Sequence, residues 1–225
     1  MQSRESSVLL GHTFGRRRIF DTIELFPGTD MSDKERLKQI VIEKSLKVGD
    51  FTLASGQRSN YYIDAKLTSL DPEGLARIAA VFWEKLAELP VFPRAIGGLS
   101  TGADPIVAGL VALSFKNPGK ELHGFYVRRE VKGHGTKKEI EGYVGSPGDP
   151  VVIVDDVCTT GSSAIRAIEA AKTRRWNVLA TICLVDRDEE ARAHIEVENS
   201  VPYYPIFTAS ELLAELEANP KKAAR

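Results

Sequence analysis

The sequence predicts an α/β fold, a central and mainly parallel sheet with helices on both faces. Three observations predict it. Short apolar runs alternate with longer stretches of helical spacing from residue 32 onward. Several of those runs, such as VVIVDD (151–156) and VLATICLV (178–185), are apolar on successive residues. Strands covered on both faces read this way, whereas a half-exposed strand alternates. Finally, 151–163 reads VVIVDDVCTTGSS and leads into helical spacing at Ile165, Ile168 and Ala171, a strand–turn–helix unit.

The elements follow in order. Ser32-Asp33-Lys34-Glu35 fits a capping box, with Ser32 at the N-cap and Glu35 reaching back. Leu37, Ile40, Val41 and, further on, Leu46 extend an apolar stripe at helical spacing. FTLASGQRSNYYIDAKL (51–67) holds two short β-like runs around a Ser-Gly turn. Asp71-Pro72 opens a helix through Leu75, Ile78, Ala79, Phe82 and Leu86, since proline is tolerated in a first turn. AIGGL (95–99) reads as a strand end, DPIVAGLVALSF as a helix, and LHGFYV (122–127) as a strand. YYPIF (203–207) and ASELLAELEA close the chain as strand and helix. The charged, glycine-containing stretch 128–148 is too long and polar for a plain connector, and such loops are often functional.

Composition narrows the function. A formal net charge of −1 over 225 residues argues against a general nucleic-acid binder. No apolar run approaches the roughly 20 residues of a membrane helix. The two cysteines, Cys158 and Cys183, form no CxxC pair, which fits a reducing cytoplasm without a disulfide framework or zinc site. Residues 1–31 lack a sustained apolar segment and a small-residue cleavage site, so they read as a mobile extension rather than a secretory signal. Glu5, Asp21 and Glu24 disfavour a transit peptide. Residues 32–225 then read as a single domain.

The string 151–163 carries the chemistry. In open α/β sheets, ligands bind beyond the carboxyl ends of strands. From Cys158 to Ser163 small residues let backbone N–H groups approach an anion, with the next helix pointing its positive end there. Thr159, Thr160, Ser162 and Ser163 add hydroxyls. Asp155 and Asp156 would repel a phosphate but accept hydrogen bonds from sugar hydroxyls. A ribose 5-phosphate satisfies both halves. For the two acids alone, a polar Asx turn at a helix cap serves equally well.

VVIVDDVCTTGSS resembles the phosphoribosyl-pyrophosphate (PRPP) motif of type I phosphoribosyltransferases, with Cys158 where an aliphatic residue is usual. GFYVRREVKGHG (124–135) resembles the mobile catalytic loop of orotate phosphoribosyltransferases, FTLASGQRSNYYIDAK (51–66) their N-terminal segment, and CLVDRDEE (183–190) the end of their base-site strand. The likeness spans about residue 35 to residue 215. It implies the type I phosphoribosyltransferase fold with a small N-terminal hood, and transfer of the phosphoribosyl group from PRPP to orotate. It also implies Mg²⁺ bound through PRPP rather than by protein ligands, and a homodimer sharing the loop 128–141 across subunits.

The resemblance assigns roles residue by residue. Lys132 is the principal catalytic residue, with Arg128, His134, Asp155 and Asp156 beside it. PRPP is contacted by Thr101, Gly102, Arg128, Arg129, Lys132 and His134, and by Asp155, Asp156, Val157, Cys158, Thr159, Thr160, Gly161, Ser162 and Ser163. Tyr62, Ile63, Thr159 and Arg187 contact orotate. Tyr61 and Tyr62 serve equally well as packing residues, and Arg187 as a surface partner of Asp186 or Asp188. Besides Cys158, three positions depart from the family pattern. Arg129 replaces a usual lysine, Ala54 stands where several relatives carry a PRPP-contacting lysine, and Gly102 where a bulkier basic residue is common. Two rivals stay open, a phosphoribosyltransferase for another base and a PRPP-sensing regulator without catalysis.

Overall fold

The structure is a computed structural model, and it describes residues 31–52, 56, 58–129 and 139–219. The extension expected over residues 1–31 lies outside them, apart from Met31.

Helix α1 (Asp33–Ile40) starts on the expected capping box. Ser32 Oγ accepts the Glu35 N–H, and the Glu35 carboxylate accepts the Ser32 N–H. The helical stripe stops sooner than its spacing suggests. One π turn (Val41–Ser45) follows, and Leu46 opens strand β1 (Leu46–Thr52) instead of closing the helix. Ser45 is the cause. Its carbonyl accepts the Asp64 N–H at 2.9 Å and its hydroxyl meets Thr68 Oγ1 at 2.7 Å, drawing the chain sideways. Strand β2 (Arg58–Ile63) pairs antiparallel with β1 and makes the small hood expected from the tandem β-like runs.

A short turn, α2 (Lys66–Ser69), leads to α3 (Pro72–Ala87), which Asp71 caps by accepting the Gly74 N–H at 2.9 Å. Then come β3 (Ala95–Leu99), α4 (Asp104–Ser114), β4 (His123–Val127), β5 (Ile140–Gly142) and β6 (Pro150–Cys158). The chain continues with α5 (Ser162–Thr173), β7 (Asn177–Asp186), a π-helical turn (Ala193–Glu198), β8 (Tyr203–Thr208) and α6 (Ala209–Ala218). The six-stranded sheet has the order β5-β4-β3-β6-β7-β8. All its pairings are parallel except β4–β5. β5 is an edge strand inside the stretch 128–148, where the sequence predicts a loop. Its three residues, too few to show a period, are held by Ile140, which is buried.

β6 explains why its sequence does not alternate. Val152 and Val154 pack with Phe82, Ile106 and Leu110 on one face of the sheet. Val151 and Ile153 pack with Ala167, Ile168 and Trp176 on the other. Each such buried aliphatic contributes about 1.5–3 kcal/mol. A partly exposed pair such as Arg36–Glu73 contributes about 0–1 kcal/mol. Apolar packing therefore fixes the helices on the sheet, and the ion pairs tune their edges.

Topology then decides where a ligand goes. From β3 the chain moves one way to β4, then returns to place β6 on the other side. Strand order reverses between β3 and β6, and at such a switch the loops part to leave a crevice. The segments following Leu99, Val127, Cys158 and Asp186 all leave the sheet at this edge.

Candidate active site

At the tip of β6 the two acids separate. Asp155 is 4% exposed, and its Oδ2 lies 3.8 Å from the Cys158 thiol. Burial, reinforced by the charge of Asp156, pushes its carboxyl up to about 8. Burial thus favours the neutral form of Asp155, which sits beneath the site. Asp156 is half-buried and faces the loop after β3, where a Cβ placed on Gly102 would lie 2.4 Å from its Oδ1. Glycine at 102 lets that loop lie directly against the carboxylate, which a bulkier residue would push aside. The side-by-side acid pair of the sequence reading becomes one acid in the crevice and one below it.

Cys158 also differs from its expected place. It ends β6 rather than opening the turn, its side chain is buried, and its carbonyl accepts the Arg187 N–H at 2.9 Å. Val157 likewise remains in the strand, paired with Val185, and its N–H is taken by Asp156 Oδ1. The turn that the sequence reads as anion-binding thus begins at Thr159. Among the described residues the N–H groups of Thr159, Thr160 and Gly161 donate to no protein acceptor. Gly161 has φ +79°, the left-handed conformation that a side chain would strain, and α5 starts at Ser162 with its first amides facing the same turn. Ser162 is exposed and Ser163 half-buried.

On the β3–β4 side, Ser100, Thr101, Tyr126, Arg128, Arg129 and Glu141 line a cleft of about 430 Å³. Arg128 is oriented across the β4–β5 ladder, donating from Nε and Nη2 to Glu141 Oε1 at 2.9 and 2.6 Å. Glu141 thus holds an arginine of its neighbouring strand end. Arg129 Nε donates to the Ser100 carbonyl at 3.1 Å. Two guanidinium groups in one cleft suit a multiply charged anion. Lys132, His134, Lys137, Lys138 and Ala54 lie outside the described residues.

At the tip of β7, Arg187 is 10% exposed as a side chain, deep for a guanidinium. Its carbon sits 4.9 Å from the Tyr61 ring centroid, Nε lies 3.4 Å from Tyr61 Oη, and Nη2 donates to Ser59 Oγ at 3.4 Å. Glu189 Oε1 is 3.5 Å from Nε, so the acid that pairs with it is neither Asp186 nor Asp188. Asp186 Oδ1 instead accepts the Asp188 N–H, and Asp188 Oδ2 accepts the Ser210 N–H, fixing the turn that carries Arg187. The hood residues that reach Arg187 are therefore Ser59 and Tyr61. Tyr62 lies on the opposite face of β2, 42% exposed and 5.7 Å from the Phe51 ring, while Ile63 is buried in the core. The two-residue period of RSNYYI separates Ser59 and Tyr61 from Tyr62 and was the available signal. A guanidinium stacked on an aromatic ring, beside an anion-binding turn, suits a flat ligand bearing a carboxylate.

Residues 71–205 match the phosphoribosyl transferase domain. An orotate phosphoribosyltransferase of Aquifex aeolicus is 43% identical over 188 residues, covering 81% of this chain and 99% of that protein. One from Synechocystis is 37% identical, covering 80% and 88%. Among solved structures, Mycobacterium tuberculosis orotate phosphoribosyltransferase in complex with PRPP superposes with a TM-score of 0.65 at 30% identity, covering 80% of this chain and 99% of that one. With its parallel sheet, antiparallel hood and strand-tip crevice, this chain belongs to the orotate phosphoribosyltransferase family.

Proposed function

We propose that this protein transfers the 5-phosphoribosyl group from PRPP to orotate, giving orotidine 5′-monophosphate and pyrophosphate in pyrimidine biosynthesis. The observation that carries this reading is the position of Arg187, a shielded guanidinium at the β7 tip bonded through its own N–H to the last residue before the phosphate turn. That turn, Thr159–Ser163, receives the 5-phosphate on backbone amides. Asp156 accepts hydrogen bonds from the ribose hydroxyls, Thr101 and Gly102 line the pyrophosphate side, and Arg187 takes the orotate carboxylate in a bidentate pair. Orotate nitrogen attacks the anomeric carbon as the bond to pyrophosphate breaks, so charge builds on the leaving group. Arg128 and Arg129, joined by Lys132 and His134 from the loop, stabilise that charge and exclude water.

Mg²⁺ belongs to the same reading. Asp156, beside Gly102, is the carboxylate nearest the ribose side of the crevice. Brought in with PRPP and bound mainly through its oxygens, the ion would need few protein ligands and would neutralise leaving-group charge. The functional unit is a homodimer in which segment 128–141 of one subunit covers the partner's site. Mixing Lys132→Ala chains with Arg187→Ala chains restores part of the activity in heterodimers; subunit exchange without recovery refutes shared sites.

Orotate consumption, followed by absorbance with Mg²⁺ and PRPP, tests the reaction. Wild type turns over orotate and neither uracil, adenine nor hypoxanthine, and Lys132→Ala slows it on the order of 10²-fold or more. PRPP binding with no nucleotide formed from any base leaves a sensor, not an enzyme.

A further inference from the structure

A turn that cradles an anion must aim its N–H groups inward and send its carbonyls elsewhere. In the turn after β6 the Thr160 carbonyl has a partner: His194 Nδ1, 2.8 Å away, from a segment 34 residues further on. A carbonyl oxygen only accepts, so the imidazole carries its proton on Nδ1 and donates. Nε2, on the far side of the ring, lies 3.9 Å from both Glu190 and Glu198.

The backbone that carries His194 is itself fixed. Its N–H donates to the Glu190 carbonyl at 3.1 Å, and its carbonyl accepts Asn199 Nδ2 at 2.8 Å. The Asn199 carbonyl accepts Lys172 Nζ from the end of α5 at 3.0 Å. The neighbouring Ile195 packs so closely that a Cβ on Gly161 would lie 3.1 Å from its Cδ1. The segment from Arg187 to Asn199 thus forms a strap under the turn. It is tied to β6 through Arg187 N–H, to the turn through His194, and to the far end of α5 through Asn199.

We propose that His194 is a positioning residue for the phosphate turn: by holding the Thr160 carbonyl away from the site, it keeps the Thr160–Gly161 peptide in the orientation that binds the 5-phosphate of PRPP. The proposal rests on the reading of this turn as the 5-phosphate site. No contact with substrate is required of the imidazole, which acts through the peptide.

The test uses the full chain with His194→Phe, which keeps a ring but loses the donor, and His194→Asn, whose amide nitrogen stands where Nδ1 does and restores one. With Phe, KM for PRPP rises up to about ten-fold and affinity for ribose 5-phosphate by calorimetry falls equally, as loss of the one hydrogen bond that orients the peptide predicts. KM for orotate and kcat stay within about two-fold, and Asn recovers most of the loss. If the Phe variant does not fold, His194→Leu carries the same comparison. Unchanged PRPP and ribose 5-phosphate affinity in a donor-less variant overturns the proposal alone. So does an equal loss for both substrates with a lowered melting temperature, which would mark a purely structural role. Wild-type protein that binds neither PRPP nor ribose 5-phosphate overturns the underlying site reading instead, and this proposal with it.

Discussion

Neighbouring strands β6 and β7 end at the same edge of the sheet, yet their tips are built on opposite plans. The β6 tip offers peptide groups: among the described residues the amides of Thr159, Thr160 and Gly161 have no acceptor, Gly161 supplies a left-handed turn, and side chains matter mainly by being small. The β7 tip offers one side chain, Arg187, whose direction is set by Tyr61 and Ser59 from the hood. A tetrahedral phosphate can be held by many roughly equivalent donors. A planar base with a carboxylate is held by one cation in one orientation. Redundancy at the first tip and its absence at the second predict different responses to damage.

The largest effect belongs at β7. Arg187→Ala removes the only guanidinium described at that tip, and a site built to pair a charged group discriminates strongly when the pair is broken. Orotate kcat/KM falls on the order of 10²–10³-fold, while ribose 5-phosphate affinity by calorimetry changes less than about three-fold. A comparable fall in both would mean the two tips act as one unit.

A smaller effect is expected at β6. Gly161→Ala places a methyl group in a left-handed turn (φ +79°) against Ile195. The strain costs about 1–3 kcal/mol, read as a lower melting temperature, and PRPP affinity falls about ten-fold as the turn shifts. Because Thr159, Ser162 and Ser163 still present donors, the loss is partial. A Gly161→Ala protein with wild-type stability and affinity would show that the turn tolerates a Cβ and is not tightly templated.

The same contrast explains what could be read from sequence. A strand, a run of small residues, a glycine and a helix start are coded locally, so the strand–turn–helix at the β6 tip is legible in VVIVDDVCTTGSS. The orientation of Arg187 depends on residues 126 and 128 positions away. The period of β2 puts Tyr61 and Tyr62 on opposite faces, but which face meets Arg187 is set only when β2 is paired and docked. The π turn at Val41–Ser45 was hidden for a related reason: the Ser45 contacts with Asp64 and Thr68 that bend the chain are tertiary. Likewise, consecutive acids look equivalent in a string, whereas the sheet buries Asp155 and leaves Asp156 at the crevice.

That last asymmetry gives the smallest catalytic effect and the sharpest sign. Asp155 titrates near 8 in the folded protein because it is buried beside Asp156, against about 3.9 for an unfolded aspartate. Between those values the unfolded chain has lost a proton that the folded chain retains. Stability therefore falls as pH rises from about 4 to about 8, by at most about 1.4 kcal/mol per pH unit from this group, and levels off above. Asp155→Asn mimics the neutral acid and removes that slope. Relative to wild type the variant is close to neutral in stability near pH 4 and increasingly favoured toward pH 8, while orotate turnover at pH 7 changes only a few-fold. Asp156→Asn, by contrast, leaves the slope in place and lowers turnover more, because its carboxylate faces Gly102 and the crevice. Denaturant midpoints at several pH values, set beside turnover for both variants, separate the two acids. If Asp155→Asn keeps the wild-type slope and loses activity as severely as Asp156→Asn, the acids work as a pair at the β6 tip, and the division between a buried support and an exposed ligand is wrong.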